Sequence, residues 1–165
     1  MTANNLIIAH EQAADWTTVH AIHCAAFGRA AEADLVAALR QGGWAEISLV
    51  AREAGEVVGH VLFSRLEAPM RALALAPIAV RPDRQRHGVG SQLIREGLRV
   101  AAEQGSECVF VLGEPAYYER FGFSRDAARG YNCIYAGDYF MAVNLQPHAV
   151  TSGQIRYASP FGALA

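Results

Sequence analysis

The sequence contains no lysine, and all 14 of its basic residues are arginine. This absence excludes every mechanism that begins with a lysine Schiff base, and it removes the lysine that a nucleotide-binding P-loop requires. With 16 acidic residues the formal net charge is −2, which gives no sign of nucleic acid or an anionic membrane as a partner. We therefore expect no nucleic acid and no membrane as partners, and any bound anion must be held by local structure.

Cysteine is also scarce. The three cysteines, Cys24, Cys108 and Cys133, are odd in number and widely spaced, and none belongs to a CxxC pair. This spacing predicts neither a disulfide framework nor a zinc site. His20 and His23 share a predicted helix face but lack a third ligand. We therefore expect no bound metal. We also expect the three cysteines to be buried and to pack as small hydrophobic residues.

Long apolar runs are absent, since no run approaches the roughly 18 residues that span a bilayer. The start, "MTANNLIIAHEQ", has neither a charged leader nor a small-residue cleavage site, and it predicts a cytoplasmic protein.

The chain has 165 residues, of which 52% are hydrophobic, and no linker or repeat divides it. We expect one domain over 1–165 with a sizeable core.

Hydrophobic spacing predicts an α/β chain. Apolar residues recur at helical spacing in three segments, and a fourth helix is expected where a proline opens a segment that ends at Gly122. Runs rich in β-branched and aromatic residues predict strands. The expected helices cover 11–27, 31–40, 89–104 and 115–121, and the expected strands cover 5–10, 46–53, 56–67, 71–80, 107–113, 138–145 and 153–159.

The strand over 71–80 contains Pro77. Proline cannot donate a hydrogen bond to a neighbouring strand, so inside an apolar strand it indicates a bulge or a place where the neighbour has moved away. We expect this strand to be partly unpaired near Pro77.

The segment "RPDRQRHGVGSQLI", residues 81–94, leads from that strand into a helix. The first amides of a helix lack intrahelical partners, and glycines at 88 and 90 leave them accessible to an anion. Arginines 81, 84 and 86 add charge, so the segment suits a diphosphate. A dinucleotide fold would need a third glycine where Leu93 stands, and a P-loop would need a lysine. A solvated basic turn is the remaining alternative.

These residues resemble the GNAT acyltransferases, whose signature Q/R-x-x-G-x-G/A is matched by residues 85–90. The runs "PIAVRPD" and "YYERFGF" resemble the strand and the later tyrosine of the family, and "GHVLFS" with "VLGEPAYYERFGF" is most similar to its YhbS-like subgroup. The resemblance implies a single-domain α/β fold with a cofactor-binding core over about 77–123. Its mixed, mostly antiparallel sheet has about six to seven strands, a splayed central parallel pair and about four flanking helices.

The resemblance also implies an acetyl-CoA-dependent N-acetyltransferase that moves the acetyl group to a primary amine by direct attack. The pantetheine arm would run along Ile78, Ala79 and Val80. The backbone amides of Arg86, His87, Gly88, Val89, Gly90 and Ser91 would bind the pyrophosphate, and Gln85, the first signature residue, completes the cofactor-binding set. One departure is Arg86, because many family members have glycine there.

By the same resemblance, Tyr118 corresponds to the general acid of the family, and Tyr117 is disfavoured by register. The strand "CVFVLG" lacks the carboxylate that serves as base in many relatives, which leaves Glu114 as the nearest substitute and His60 below it. A catalytically silent acetyl-CoA-binding or regulatory module is therefore the alternative function, and a fold relative that binds no CoA is a third.

The sequence leaves two classes of acceptor, a small molecule and a protein amine. It also allows a homodimer. Four aromatic residues are candidates for an acceptor pocket, although such residues are more often core. They are Trp44, Tyr131, Tyr135 and Phe140.

Overall fold

A computed structural model of the chain describes residues 5–164. The remaining residues that the single-domain prediction includes, 1–4 and 165, lie outside the described residues. The strands are β1 Leu6–His10, β2 Ala45–Glu53, β3 Glu56–Arg65, β4 Ala72–Val80, β5 Cys108–Leu112, β6 Tyr131–Asn132, β7 Phe140–Asn144 and β8 Gly153–Gln154. The α-helices are α1 Trp16–Phe27, α2 Ala31–Gln41, α3 Val89–Glu103, α4 Pro115–Tyr118 and α5 Arg125–Ala128. Short 3-10 helices cover Ala13–Asp15, Pro82–Arg84, Glu119–Phe121 and Ser159–Leu164.

The main sheet has six strands in the order β1-β2-β3-β4-β5-β7. The β4–β5 pair is parallel and the other pairs of this sheet are antiparallel. The chain reaches β5 from β4 through α3, as a crossover between parallel strands requires. The predicted mixed α/β fold with a central parallel pair is confirmed.

The helix α3 packs closely on the sheet. Leu93, Ile94 and Ala101 are buried on its inner face, and Gly97 lies so near the Phe63 ring that a Cβ there would overlap it. Gly28 ends α1 in the left-handed conformation, with φ 69°, and donates its amide to Cys24 O at 2.9 Å. Glycine suits this C-terminal position because it adopts the left-handed conformation without a Cβ penalty.

The strand β4 is bulged and partly unpaired at Pro77. Its register with β3 runs Val61↔Ile78 and then Phe63↔Leu75, a shift of one residue. Its pairing with β5 covers only 72–74. Within the described chain, Leu75 and residues 78–80 of β4 thus pair with β3 only, Ala76 and Pro77 pair with neither neighbour, and the two parallel strands splay apart. The prediction from the proline is confirmed.

The C-terminal prediction was wrong over 153–159. Only Gly153–Gln154 forms a strand, and it pairs in parallel with Tyr131–Asn132 as a separate small sheet. Pro160 cannot donate to a ladder, and a 3-10 helix follows from Ser159. This helix buries Phe161 against α2.

Three smaller predictions also change. The first helix begins at Trp16, after a 3-10 turn in which the Asp15 carboxylate accepts the Gln12 amide at 2.8 Å. The helix α5 has only four residues, too few for a periodic signal. Cys108 is buried as expected, whereas Cys24 and Cys133 are partly exposed.

Two further features concern the described residues as a whole. None of their helices combines the length and the apolar character needed to cross a membrane. They also contain no group of three or more His, Cys, Asp or Glu side chains arranged around a common metal position.

Candidate functional site

The loop between β4 and α3 presents backbone amides to solvent. Gly88 stands at the N-cap of α3 with φ 85°, a left-handed conformation that side chains disfavour. The first hydrogen bond into the helix runs from Gln92 N to Gly88 O at 3.1 Å. The amides of residues 89–91 precede it and have no intrahelical acceptor. Together with the helix dipole they form a cradle for an anion.

Arg86 also adopts a left-handed conformation, with φ 66°. This geometry favours glycine, which gives a physical reason for the glycine that many family members have there. Within the described chain, no carboxylate is ion-paired with Arg86. By contrast, Arg81 Nε lies 2.6 Å from Asp83 Oδ1, and Arg84 Nε lies 2.7 Å from Glu53 Oε2. Two of the three loop arginines are therefore already neutralised.

The cradle opens into a cleft of about 690 Å³. Besides arginines 84 and 120, the cleft contains residues of α1, β4, the loop and α4. They are Ala26, Phe27, Ile78, Ala79, Val80, Gln85, Arg86, Gly88, Val89, Gly90, Ser91 and Tyr117. The structure thus gathers the residues predicted to bind the cofactor, except His87. That side chain is exposed, with Nδ1 2.9 Å from Gln85 O. Gln85 itself donates to Val80 O at 3.0 Å and ties the loop to β4.

Tyr117 and Arg120 close the cleft over the start of α3. A Cβ at Gly90 would lie 2.9 Å from Tyr117 Oη, so any larger residue there requires the Tyr117 hydroxyl to move. Arg120 Nη2 donates to Ser91 Oγ at 2.8 Å, and its guanidinium lies 5.1 Å from the centroid of the Tyr117 ring. The sequence motifs do not point to Arg120. Its position one helical turn after Tyr117 is the only local signal.

Tyr118 faces away from this cleft. Its ring is buried and packs against Gly113, where a Cβ would overlap it. Burial raises the pKa of Tyr118 to about 12, and the neighbouring Tyr117 adds to the rise. The phenol therefore keeps its proton at neutral pH. The two adjacent tyrosines therefore point in different directions, and only Tyr117 lines the cleft.

Tyr118 lines a second cavity, of about 640 Å³. Its walls come from α1, α2 and the loop between them, from β4 around its bulge, from the end of β5 and α4, and from the β6–β7 loop and the C-terminal segment. They are Phe27, Arg29, Glu32, Leu75, Ala76, Pro77, Ile78, Leu112, Tyr118, Ile134, Tyr135, Tyr157, Phe161, Gly162 and Leu164. Phe27 and Ile78 belong to both cavities. Of the four aromatic candidates, Tyr135 lies here, whereas Tyr131 and Phe140 are buried in the core and Trp44 packs against it.

Glu114 lies at the N-cap of α4, where its backbone oxygen accepts the Tyr118 amide at 3.1 Å. Its side chain is exposed and lines neither cavity. A proton could reach this carboxylate from either cavity only through water. Its role as a base stays a prediction.

His60 belongs to a buried polar chain behind the two cavities. Its Nδ1 lies 2.8 Å from His23 Nε2, and its Nε2 lies 2.8 Å from Ser48 Oγ. Ser48 in turn donates to Glu11 at 2.5 Å, and Glu11 pairs with Arg40. Burial lowers the pKa of His23 to about 4 and that of His60 well below its ordinary value. Both imidazoles are neutral at pH 7 and join α1 to the sheet.

Comparison with known proteins places these features in one family. The model of the Acetyltransferase (GNAT) family matches residues 16–123. The chain is 36% identical to the "Uncharacterized N-acetyltransferase YjhQ" of Escherichia coli strain K12, over 97% of this chain and 96% of that protein. It is 35% identical to the "Uncharacterized N-acetyltransferase YhbS" of the same strain, over 80% and 81%.

Solved structures agree with this comparison. The crystal structure of Escherichia coli YhbS in complex with CoA superposes with a TM-score of 0.91 at 31% identity, covering 98% of this chain and 94% of that one. A GNAT family acetyltransferase from Brucella melitensis in complex with acetyl-CoA gives a TM-score of 0.82 at 31% identity, covering 96% and 99%.

Proposed function

This chain belongs to the GNAT acetyltransferase family, and we propose that it moves an acetyl group from acetyl-CoA to a primary amine by direct attack. The observation that carries the proposal is that the cradle cleft and the Tyr118 cavity meet at Phe27 and Ile78. A donor in the first and an acceptor in the second would bring thioester and amine together there, without a covalent enzyme intermediate.

The cleft suits acetyl-CoA in two respects. The amides at the start of α3 and the unpaired side chain of Arg86 would hold the pyrophosphate. The pantetheine arm is peptide-like, so it would bind the side of β4 that β5 leaves open over residues 75–80. The CoA complex of YhbS and the acetyl-CoA complex of the Brucella protein support this assignment.

Tyr118 would act on the departing sulfur. As the amine nitrogen forms its bond to the acetyl carbon, the carbon–sulfur bond breaks, CoA leaves as the thiolate, and the amine gives up one surplus proton. A phenol with a pKa of about 12 is a weaker acid than a thiol with an ordinary pKa near 8.5. Tyr118 therefore serves best by keeping its proton and donating a hydrogen bond to the sulfur as negative charge develops.

Glu114 would accept the surplus proton through water. Its exposed carboxylate just before α4 is near Tyr118 in sequence, and water can enter from that side. Replacement by glutamine should lower the rate at neutral pH by less than the loss of the Tyr118 hydroxyl does.

The test compares two matched variants. Tyr118→Phe should lower kcat by roughly 10- to 100-fold, the worth of one hydrogen bond to a charged group, with KM for acetyl-CoA nearly unchanged. Tyr117→Phe should instead raise KM for acetyl-CoA, because Tyr117 borders the donor cleft. The measurement is initial rate of thiol release with a panel of amines. A Tyr118→Phe enzyme that keeps its full kcat across pH would remove the role proposed for this residue.

The alternative, a module that binds acetyl-CoA without turnover, is favoured by one observation. Among the described residues, the second cavity is lined by a single carboxylate, Glu32, and Arg29 already pairs with it. This alternative predicts a thermal shift on adding acetyl-CoA but no thiol release with any amine. A ligand at 100 times its Kd stabilises by about 2.7 kcal/mol, which a melting curve resolves.

A further inference from the structure

The second cavity is electrically balanced. Among its lining residues, Arg29 and Glu32 are the charged ones, and they pair with each other, with Arg29 Nε 2.9 Å from Glu32 Oε1. The Glu32 side chain is only 7% exposed. The other polar groups of the wall are phenols. Away from the exposed Arg29 guanidinium, an acceptor with a further charge would find no oppositely charged side chain in the buried wall, and burying an unpaired charge is strongly unfavourable.

Exposed apolar side chains gather at the mouth of this cavity. Phe27, Leu112 and Ile134 all line it, with exposed fractions of 42%, 47% and 86%. They are half of the six large hydrophobic side chains that are exposed in the described part of the chain. An apolar patch next to a cavity marks a surface that a ligand covers.

The inner wall carries a chain of aromatic rings. Tyr135 and Tyr157 meet edge to face at 4.9 Å between ring centroids, and Tyr157 meets Phe161 in the same way at 5.1 Å. Aromatic faces and edges favour another ring over a flexible polar chain. The wall therefore fits a substrate that contains a ring.

From these three features, and resting on the transferase function proposed above, we infer that the acceptor is a primary amine on an apolar, ring-containing body. The body packs between the aromatic wall and Ile134. The amine points to the bulge of β4, where Pro77 and Ile78 meet Tyr118. We expect polyamines and free amino acids to be poor acceptors, because each carries a further charge that the buried lining does not pair.

The first arm of the test compares amines that differ in one property. 2-Phenylethylamine and phenylalanine share a ring and an amine, but phenylalanine adds a carboxylate, and spermidine adds charge without a ring. The value of kcat/KM for 2-phenylethylamine should exceed that for each of the others by at least about 100-fold, as expected for a buried, unpaired charge. Equal or greater values for spermidine or phenylalanine would overturn the inference.

The second arm uses a matched pair of variants. Ile134→Asp places a carboxylate at the mouth, and Ile7→Asp makes the same change at an exposed isoleucine of β1. Ile134→Asp should raise KM for 2-phenylethylamine about 10-fold and leave KM for acetyl-CoA unchanged, whereas Ile7→Asp should change neither. Equal KM values for 2-phenylethylamine in the two variants would contradict the inference.

Other occupants give distinct results. If Ile134→Asp turns a dimer into a monomer in sedimentation without changing KM for the amine, the patch is an interface between copies and the inference falls. If the enzyme preferred hexanoyl-CoA to acetyl-CoA with small amines, the cavity would hold the acyl chain of the donor. That result would also refute the inference. Turnover of spermidine but not of 2-phenylethylamine overturns the acceptor class alone. No turnover of any amine, with acetyl-CoA still bound, overturns the transferase function as well.

Discussion

Gly88 and Gly90 lie two residues apart in one turn, but each is needed for a different reason. At Gly88 the constraint is the backbone, since φ is 85° and an added Cβ would meet nothing within 4 Å. At Gly90 the backbone is ordinary and the constraint is the hydroxyl of Tyr117. The two glycines thus shape the cradle through conformation in one case and through close contact in the other.

This difference predicts the effect of Gly88→Val on donor binding. Left-handed geometry costs a residue with a Cβ about 1–2 kcal/mol, and a β-branched side chain more, so the turn and its amides should shift. We expect Kd for acetyl-CoA to rise at least 10-fold by calorimetry. Arg84→Ala should have a smaller effect, because that guanidinium is already paired with Glu53. If Arg84→Ala instead raised Kd more than Gly88→Val, the loop would bind the anion through side-chain charge and not through its backbone amides.

At the scale of the element, β4 is a strand with one free edge. Leu75 and residues 78–80 pair with β3 but not with β5, and their outer donors and acceptors are available to a ligand. An arm added there would complete the ladder.

We therefore expect acetyl-CoA to slow amide hydrogen exchange at Ala76 and in residues 78–80 by about 10-fold or more, since exchange reports local opening. Mass spectrometry of peptides with and without ligand measures this effect. Residues 49–51 of β2 are an internal control, because β1 and β3 already pair with both edges. Equal protection of both segments would indicate general stabilisation, not a ligand along β4.

The same element shows what the sequence could predict. The β4–loop–α3 unit was predicted correctly in its strand, bulge and helix because its signals are local: Pro77 in an apolar run, then glycines, then a helical period. The choice of Tyr118 over Tyr117 came instead from the family resemblance and stays a prediction, although adjacent helical residues do point about 100° apart. These patterns come from short-range sterics and need no knowledge of distant contacts.

The second cavity could not be predicted in the same way. Its walls bring Phe27, Leu112, Tyr135 and Phe161 together from four separate regions of the chain, and no sequence period records such a meeting. Glu32 carries a local signal only as an acidic residue in the first turn of α2. The short β6–β8 sheet was missed because strands of two residues leave no alternation to detect.

At the scale of the whole molecule, the buried histidine chain makes stability depend on pH. In the unfolded chain His23 would titrate near 6.5, whereas in the fold its pKa is about 4. Stability should be constant above pH 6.5 and fall as the pH drops towards 4, because the unfolded state binds protons first. The difference between these two pKa values of His23 corresponds to about 3 kcal/mol of unfolding free energy. Burial of His60 changes the unfolding free energy in the same direction.

Urea unfolding at several pH values between 7 and 4 tests this expectation. His23→Leu should be less stable at pH 7, since it leaves His60 Nδ1 without its partner, but its stability should fall less steeply with pH. His10→Gln, a change at an exposed histidine, should keep the slope of the unmodified protein. Parallel slopes for all three proteins would show that the histidine chain is not the source of acid sensitivity.

Phe27 and Ile78 border both cavities, whereas Ile134, Tyr135, Tyr157 and Phe161 border only the second. On the proposed function, a substitution at either shared residue should alter the handling of donor and acceptor together. Residues of the C-terminal wall line only the second cavity. Substitutions there could change which amine binds without changing the residues that bind acetyl-CoA. Divergence of acceptor choice among paralogues is therefore expected to concentrate in the last third of the chain.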